Sequence, residues 1–141
     1  MSRNSRVVGF TLAFMLGGCL WLEANDPAVE QAVKVAESWL ELVDRGEFDK
    51  SWQEAAAYFQ QAVGRERWQQ TLVAVRRPLG EVGSRELLEA TFKSSLDGAP
   101  DGSYVVIRFK TSFSNKVDAL ETITPMLDPD GQWRVSGYFI K

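Results

Sequence analysis

The acid in Leu120-Glu121-Thr122-Ile123-Thr124 stands in a run that is otherwise apolar or hydroxyl-bearing. With Tyr138 or Tyr104 it supplies a carboxylate base and a phenol, the parts of a small lyase or isomerase. Most other chemistry is excluded by residue type. The 141 residues contain no histidine, which removes imidazole triads, histidine-ligated zinc and histidine pH switches. Cys19 is the single cysteine, so neither an intrachain disulfide nor a cysteine metal cluster can form. Asp97, Asp101, Asp128 and Asp130 sit beside Gly98, Gly102 and Gly131, but Asp128-Pro129-Asp130-Gly131 lacks the distal glutamate of a calcium loop and reads as a turn. No metal and no cofactor are expected. A formal charge of −3 and a pI near 5.0 argue against a nucleic-acid partner, which would need phosphates neutralised. Arg65, Arg67, Arg76, Arg77 and Arg85 read as a solvated face, with an anionic lipid headgroup contact as the sharper alternative. Arg76-Arg77 also suit a helix C-terminus electrostatically.

These residues are positioned by helices followed by strands. Asp26 can cap a first helix and Pro27 suits its first position. Val29, Ala32, Val33, Ala36, Trp39, Leu40 and Val43 keep helical spacing to about Arg45, where Gly46 stops the helix. A second helix from about Asp49 carries Trp52, Ala55, Ala56, Phe59 and Val63. Gly64 divides it from a third with Trp68, Leu72 and Val75, ending before Pro78. The three tryptophans mark where the helices pack. The period then changes to two. Strands are expected over Arg85–Leu96, Ser103–Phe113, Asp118–Leu127 and Gln132–Ile140, joined by turn-rich segments as consecutive hairpins. The class is α+β, with N-terminal helices packed on a curved four-stranded antiparallel sheet.

If each intervening segment is a loop in full, Phe92 faces Ile107, Phe109 faces Thr122 and Thr124 faces Val135. One face then gathers Leu88, Ala90, Phe92, Val105, Ile107, Phe109, Phe113, Leu120, Met126, Trp133, Val135 and Phe139. Its polar members are Ser94, Thr111, Thr122 and Thr124, with Gly137 adding space, and it has no ionisable side chain. Ser94, Phe109, Thr111, Thr122, Thr124 and Trp133 are accordingly the candidate ligand contacts, although threonine is also an ordinary strand residue. The other face gathers Arg85, Glu89, Lys93, Arg108, Lys110, Glu121, Arg134 and Tyr138. There Glu121 opposes Lys110, and a cross-strand ladder is reason enough for it. A catalytic Glu121 requires a one-residue shift around Pro125, where a bulge or strand end is expected because proline donates nothing to a ladder.

The N-terminus carries an address. Arg3 and Arg6 precede the apolar run Val7–Leu16, which is too short for a membrane span and reads as an export signal. Leu16-Gly17-Gly18-Cys19 resembles the lipobox of bacterial lipoproteins, in which the thiol of Cys19 would be diacylated and residues 1–18 removed. An ordinary signal peptide cut after Ala24 and an uncleaved anchor prolonged by Leu20-Trp21-Leu22 are the competing readings. On the lipoprotein reading residues 19–25 form a tether and 26–141 a single domain. Losing Arg3 and Arg6 takes the 16 basic residues to 14 against 19 acidic. The expected location is the cell envelope, at a membrane or in the periplasm.

The stretch Trp39-Leu40-Glu41-Leu42-Val43-Asp44-Arg45-Gly46-Glu47-Phe48, followed by Ser51-Trp52, resembles the opening of the nuclear transport factor two-like (cystatin-like) superfamily. Arg77-Pro78-Leu79-Gly80, Ser84-Arg85, Pro100-Asp101-Gly102-Ser103-Tyr104, Glu121-Thr122-Ile123-Thr124 and Gly131-Gln132-Trp133-Arg134-Val135-Ser136-Gly137-Tyr138 are similar to the bacterial family of domain of unknown function 4019. The resemblance implies an exported protein with a cone-like helix–sheet fold and brings no activity with it; the superfamily holds both enzymes and binding domains. Three readings follow: a non-enzymatic module for a small apolar ligand or an envelope protein; an enzyme using Glu121 with Tyr138 or Tyr104; and a homodimer through the sheet face that holds Val106, Ile123, Tyr138 and Ile140 among its charges. The lipobox reading is tested by metabolic labelling with a palmitate analogue. The wild type is expected to take up label and stay with membranes, and Cys19→Ser to do neither; absence of label on both makes Cys19 an ordinary signal-peptide residue.

Overall fold

A computed structural model describes residues 26–141; Cys19, the signal and the tether lie outside the described residues. The helices are α1 (Pro27–Asp44), α2 (Phe48–Gln53), α3 (Ala57–Ala62) and α4 (Arg65–Val75), followed by a 3₁₀ turn over Arg77–Leu79. The strands are β1 (Val82–Lys93), β2 (Tyr104–Phe113), β3 (Lys116–Leu127) and β4 (Trp133–Ile140), paired antiparallel in the order β1-β2-β3-β4. The sheet is open, with β1 and β4 at its edges. The chain is therefore α+β, as the change of period from helical to strand spacing predicts.

Local chemistry explains the helix boundaries. Asp26 caps α1 by accepting from the Ala28 amide at 2.9 Å, and Pro27 takes the first position. Gly46 ends the helix region at φ +76°, a conformation that costs glycine nothing. The single second helix expected from the spacing is two short helices, α2 and α3. The break falls at Glu54–Ala56, because the Ala56 amide bonds the Val135 carbonyl of β4 at 2.8 Å and so leaves the helical ladder. Gln60 Nε2 then satisfies the freed carbonyls of Trp52 (2.9 Å) and Gln53 (3.1 Å). Polar capping by a side chain offsets the orphaned helix end.

The apolar stripe of α1 lies across the inner sheet face and touches all four strands. Val29, Ala32, Ala36, Trp39, Leu40 and Val43 meet Val105, Ile107, Phe109, Ile123 and Val135 in one core. Trp39 and Trp68 are 6.0 Å apart between ring centroids, and Phe59 meets Trp68 edge-on at 4.9 Å. Their indole N–H groups converge on Ser51: Trp39 Nε1 donates to its carbonyl (2.8 Å) and Trp68 Nε1 to its hydroxyl (3.0 Å). Buried indoles need such partners.

The expected inner face of β2 holds, but its pairing with β1 is off by two residues, with Phe92 facing Val105 and Ala90 facing Ile107, and the register fails by one residue on β3. Phe109 faces Glu121, not Thr122, and Ile107 faces Ile123. The turn responsible is short: β2 ends at Phe113 and β3 resumes at Lys116, so only Ser114 and Asn115 form the loop instead of four residues. Long-range clamps fix it. Ser114 N donates to Glu81 O (2.8 Å), Asn115 N to Leu79 O (2.9 Å) and Asn115 Nδ2 to Pro78 O (2.9 Å). The turn is thus tied to the segment after α4, and a one-residue slip turns a strand over. Ala119, Glu121, Ile123 and Pro125 point inward, while Leu120, Thr122, Thr124 and Met126 occupy the outer face.

Two further irregularities invert parts of the edge strands. Leu87 faces Phe109 while Glu89 faces Arg108, so Leu88 is an extra residue in β1. Ala90 and Phe92 keep their expected inner side, Leu88 stands out of the pairing beside Leu87 at the strand edge, and Arg85 turns inward. On β4, Pro125 faces Val135 but Thr124 faces Gly137, leaving Ser136 as the extra residue. The bulge expected at Pro125 is present there. It lets Trp133 and Val135 point inward as expected, then turns Tyr138 inward and Phe139 out.

Gly80 is where this clamp admits no side chain. Its φ is +78°, and a β-carbon there would lie 1.9 Å from Ser114 Oγ. Gly80→Ala is expected to lower unfolding stability by roughly 1–3 kcal/mol, through backbone strain and loss of the turn contact. Urea denaturation with an unchanged m-value is the measurement.

Candidate functional site

A buried polar cluster forms where the three register irregularities meet. Glu121 is 0% exposed, as is Thr111 across from it on the inner face. The carboxylate oxygen Oε1 accepts from the Thr111 hydroxyl and from Arg85 Nε at 2.8 Å. Oε2 accepts from the Tyr138 hydroxyl and lies 4.0 Å from an Arg76 terminal nitrogen. Both arginines reach on to Asp44 at the end of α1. Arg76 donates to Oδ1 at 2.8 Å, and Arg85 donates to Oδ2 at 2.8 Å and Oδ1 at 3.0 Å. Arg76 also lies over the Phe113 ring, 4.7 Å from its centroid. Its buried Nε has no hydrogen-bond partner, and the aromatic face compensates in part.

The cluster therefore joins α1, α4 and all four strands through two carboxylates and two guanidinium groups of equal and opposite charge. An acid at a helix C-terminus is repelled by the helix dipole. Asp44 is held there by Arg76 and Arg85, of which Arg76 caps α4. Burial pushes the Asp44 carboxyl upward, but hydrogen bonds and charge from Arg85 and then Arg76 outweigh it and hold it below the ordinary range. Burial, then the Glu121 charge, push the Tyr138 phenol far above its ordinary value. Arg85 loses some basicity to burial, yet its bonds to Asp44 and Glu121 leave it raised on balance.

The inner face was expected to have no ionisable side chain, and here the structure corrects the sequence reading. Glu121 and Tyr138, expected outside with Glu121 opposite Lys110, are inside and bonded to each other, and Arg85 has come in with them. Lys110 faces Leu120 instead. Tyr104 is apart from them, seven residues along β2 from Thr111, with its hydroxyl donating to Pro100 O. The six candidate ligand contacts do not converge. Phe109 is 2% exposed in the core, and Thr111 is taken up by Glu121. Thr122 and Thr124 lie on the outer face, and Ser94 is exposed beyond the end of β1. Trp133 is buried at the base of a polar cleft of about 510 Å³ that also includes Gln31, Lys34 and Gln132. Of the outer apolar residues proposed for a dimer, Ile123 and Tyr138 are inside, and Leu120, Met126 and Phe139 stand outside in their place.

Sequence reasoning missed Asp44, Arg76 and Arg85 as a set. Hydrophobic alternation is blind to them, since each is a charged residue on a surface-like position of its own element. The available signal was Pro125, whose expected bulge is one of the irregularities that turn Tyr138 inward.

Of five clefts on the described residues, one of about 220 Å³ is bordered by Tyr138 with Trp68, Leu72 and Phe139, and none is lined by Asp44, Arg76, Arg85, Thr111 or Glu121. The largest, about 870 Å³, is a groove between the first half of α1 and β1. Val29, Val33, Leu87, Leu88 and Ala90 line it, with Glu30, Lys34, Glu37 and Glu89 about its rim. Leu87 and Leu88 are 45% and 51% exposed, and Phe92 farther along β1 is 40% exposed. The Leu88 bulge is what presents two adjacent leucines at this edge. Among the described residues no group of three or more acids, histidines or cysteines is placed to hold a metal ion. No described helix is long and apolar enough to cross a membrane.

The family model described as protein of unknown function (DUF4019) matches residues 35–138. The chain belongs to that family. No curated protein matches the sequence. The matched span of this DUF4019 member begins within α1 and ends at Tyr138, so it takes in every residue of the polar cluster.

Glu121→Gln removes one charge from the buried network and is expected to cost about 3–5 kcal/mol, because Arg85 and Arg76 remain buried without it. Thr111→Val should cost about 1–3 kcal/mol through the lost hydroxyl. The pH dependence has two limbs. Asp44, lowered in the folded state, contributes stability above about pH 4 that is lost as pH falls through its folded value. Tyr138, raised in the folded state, contributes below about pH 10 and ceases to do so as pH rises beyond it. Chemical denaturation from pH 3 to 11 should show both limbs, and Tyr138→Phe should flatten the alkaline one alone.

Proposed function

We propose that this protein is a non-enzymatic binding module of the bacterial envelope, tethered by lipid on Cys19, which holds a small apolar ligand in the groove between α1 and β1. The observation that carries the reading is the contrast between the two polar and apolar features. The charged members of the cluster, Asp44, Arg76, Arg85 and Glu121, pair with one another and line none of the five clefts, only the Tyr138 ring bordering one, whereas the groove exposes Leu87 and Leu88 beside Val29 and Val33. Ligand sites are concave and mainly apolar, with a few polar groups at the edge. Three carboxylates and one ammonium around the groove favour a neutral apolar ligand over an anionic one such as a fatty acid. An apolar segment of an envelope protein would use the same surface. The fold reading that goes with it is the nuclear transport factor two-like superfamily, supported by helices that precede an antiparallel sheet with α1 laid over its inner face.

A general base needs a lone pair that substrate can reach. Glu121 spends its oxygens on Thr111, Arg85 and Tyr138, which favours a scaffold over a catalyst. Nile red, a neutral apolar fluorophore, tests the groove. Saturable emission enhancement is expected with wild type, and Leu88→Asp should weaken binding at least tenfold while leaving the fold unchanged. Equal binding by wild type and Leu88→Asp would place the ligand elsewhere, and turnover of a screened substrate abolished by Glu121→Gln at retained folding would overturn the non-enzymatic reading.

A further inference from the structure

Four tryptophans lie among the described residues, and three of them satisfy their indole N–H within the domain. Trp39 and Trp68 donate to Ser51, and Trp52 donates to the Val63 carbonyl at 2.8 Å. Trp133 is 9% exposed and belongs to the same core, yet its Nε1 has no partner among the described residues. A buried indole ordinarily finds one. The nitrogen is not sealed in either, because among the described residues Arg76 Nε is the one enclosed side-chain nitrogen or oxygen without a partner. It opens on the cleft of about 510 Å³ between α1, the end of α2 and the start of β4, the one cleft of the five that Trp133 borders.

The other walls of this cleft are polar and carry little net charge. Gln31, Lys34 and Ser38 recur at helical spacing on one face of α1, and Glu54 and Gln132 approach from the facing elements. The side chains of Gln31, Ser38 and Gln132 make no hydrogen bond among the described residues. Lys34 and Glu54 have opposite charges, and Arg134 is committed to Asp128 and Asp130 at 2.8 Å each. We propose that this cleft is a site for a neutral saccharide, with the Trp133 indole N–H donating to one of its hydroxyls.

Hydroxyl groups fit this set because each both donates and accepts, as carboxamides and serine do, while an indole N–H only donates. Groups otherwise met by solvent are best matched by a ligand whose hydroxyls reproduce those hydrogen bonds. An apolar ligand would strand the indole N–H and three polar side chains, and an anion would find Lys34 opposed by Glu54. A peptide would need open pockets for its side chains, whereas the two aromatic residues of the cleft, Trp39 and Trp133, are buried in the core. The volume falls in the range of about 300–1,000 Å³ for small-molecule sites. Its walls are also set in advance: Trp133 is packed in the core, and the bond from Ala56 N to Val135 O holds the chain after α2 against β4. Little ordering is then lost on binding. The α1–β1 groove shares only Lys34 with this cleft, so the saccharide site stands independently of the apolar-ligand reading.

The test uses the chain with residues 1–18 removed and Cys19→Ser, its tryptophan indoles isotopically labelled and followed by NMR. Indole N–H exchange with solvent is expected to be faster at Trp133 than at Trp39 or Trp68. Maltotriose and triacetylchitotriose, two neutral trisaccharides, are then titrated to about 20 mM, which covers millimolar affinity. Saturable movement of the Trp133 indole resonance is expected with at least one of them. Gln132→Ala combined with Ser38→Ala, both at exposed positions, should weaken that binding about tenfold through the lost hydrogen bonds. Trp133→Phe keeps a ring in the core and should weaken it by a similar factor; if that variant unfolds, the two exposed substitutions decide alone. A Trp133 resonance that moves with neither sugar overturns the proposal, as does sugar binding indifferent to the Gln132 and Ser38 substitutions. Movement with trialanine and with neither sugar would assign the cleft to peptide and overturn the saccharide reading.

Discussion

A carboxylate taken wholly out of water is tolerable only when charge and hydrogen bonds surround it. Glu121 is that carboxylate, and the rest of the domain is arranged to meet its requirement. Thr111 comes from β2, Arg85 from β1, Tyr138 from β4 and, through Asp44 and Arg76, the ends of α1 and α4 are drawn to the same point. Three of the strands reach the cluster only because something irregular occurs in them. β1 needs the extra Leu88, β4 the extra Ser136, and β3 the two-residue turn clamped to Pro78 and Glu81. The loss of any one of these would leave a buried charge without its partner.

That dependence explains which features were legible in the chain. Element order, the four strands to within a few residues, the cap at Asp26 and the stop at Gly46 follow from period and local chemistry. The inner residues of β2 follow as well, because Val105, Ile107, Phe109 and Phe113 alternate cleanly with Arg108 and Lys110. β3 was not decidable this way. Leu120 and Met126 lie on one side, Ala119 and Ile123 on the other, so hydrophobicity weighs both faces similarly. A clamp formed with residues more than thirty positions away made the choice, and period carries no trace of it.

The candidate site inverts an assumption built into pattern reading, that charge marks the solvent side. Here four charged groups sit within or at the border of the core, and two of the three threonines taken as inner ligand contacts, Thr122 and Thr124, are outside. Neutral balance makes this possible: two acids and two guanidinium groups leave no net charge to solvate. Arginine suits the role because its planar fork can bond two carboxylates at once, as Arg85 does with Glu121 and Asp44. Such a network fixes a single arrangement of helices on sheet at some cost in stability relative to apolar packing.

The same arrangement accounts for where the domain remains open. The short helices gather on the β4 side, where the break between α2 and α3 is stitched to Val135 and α4 ends at the polar cluster. At the other edge, α1 alone walls the groove along β1, and past the Leu88 bulge the sheet turns two leucines toward that gap. Turning Arg85 in to Glu121 and exposing Leu87 and Leu88 are consequences of one displacement in β1. An edge strand with uncovered leucines invites non-native pairing, and Glu86, Glu89 and the bulge itself oppose it. Apolar surface retained in that way, on a framework fixed by the buried cluster, is the part of the molecule whose exposure the fold has not used for its own stability.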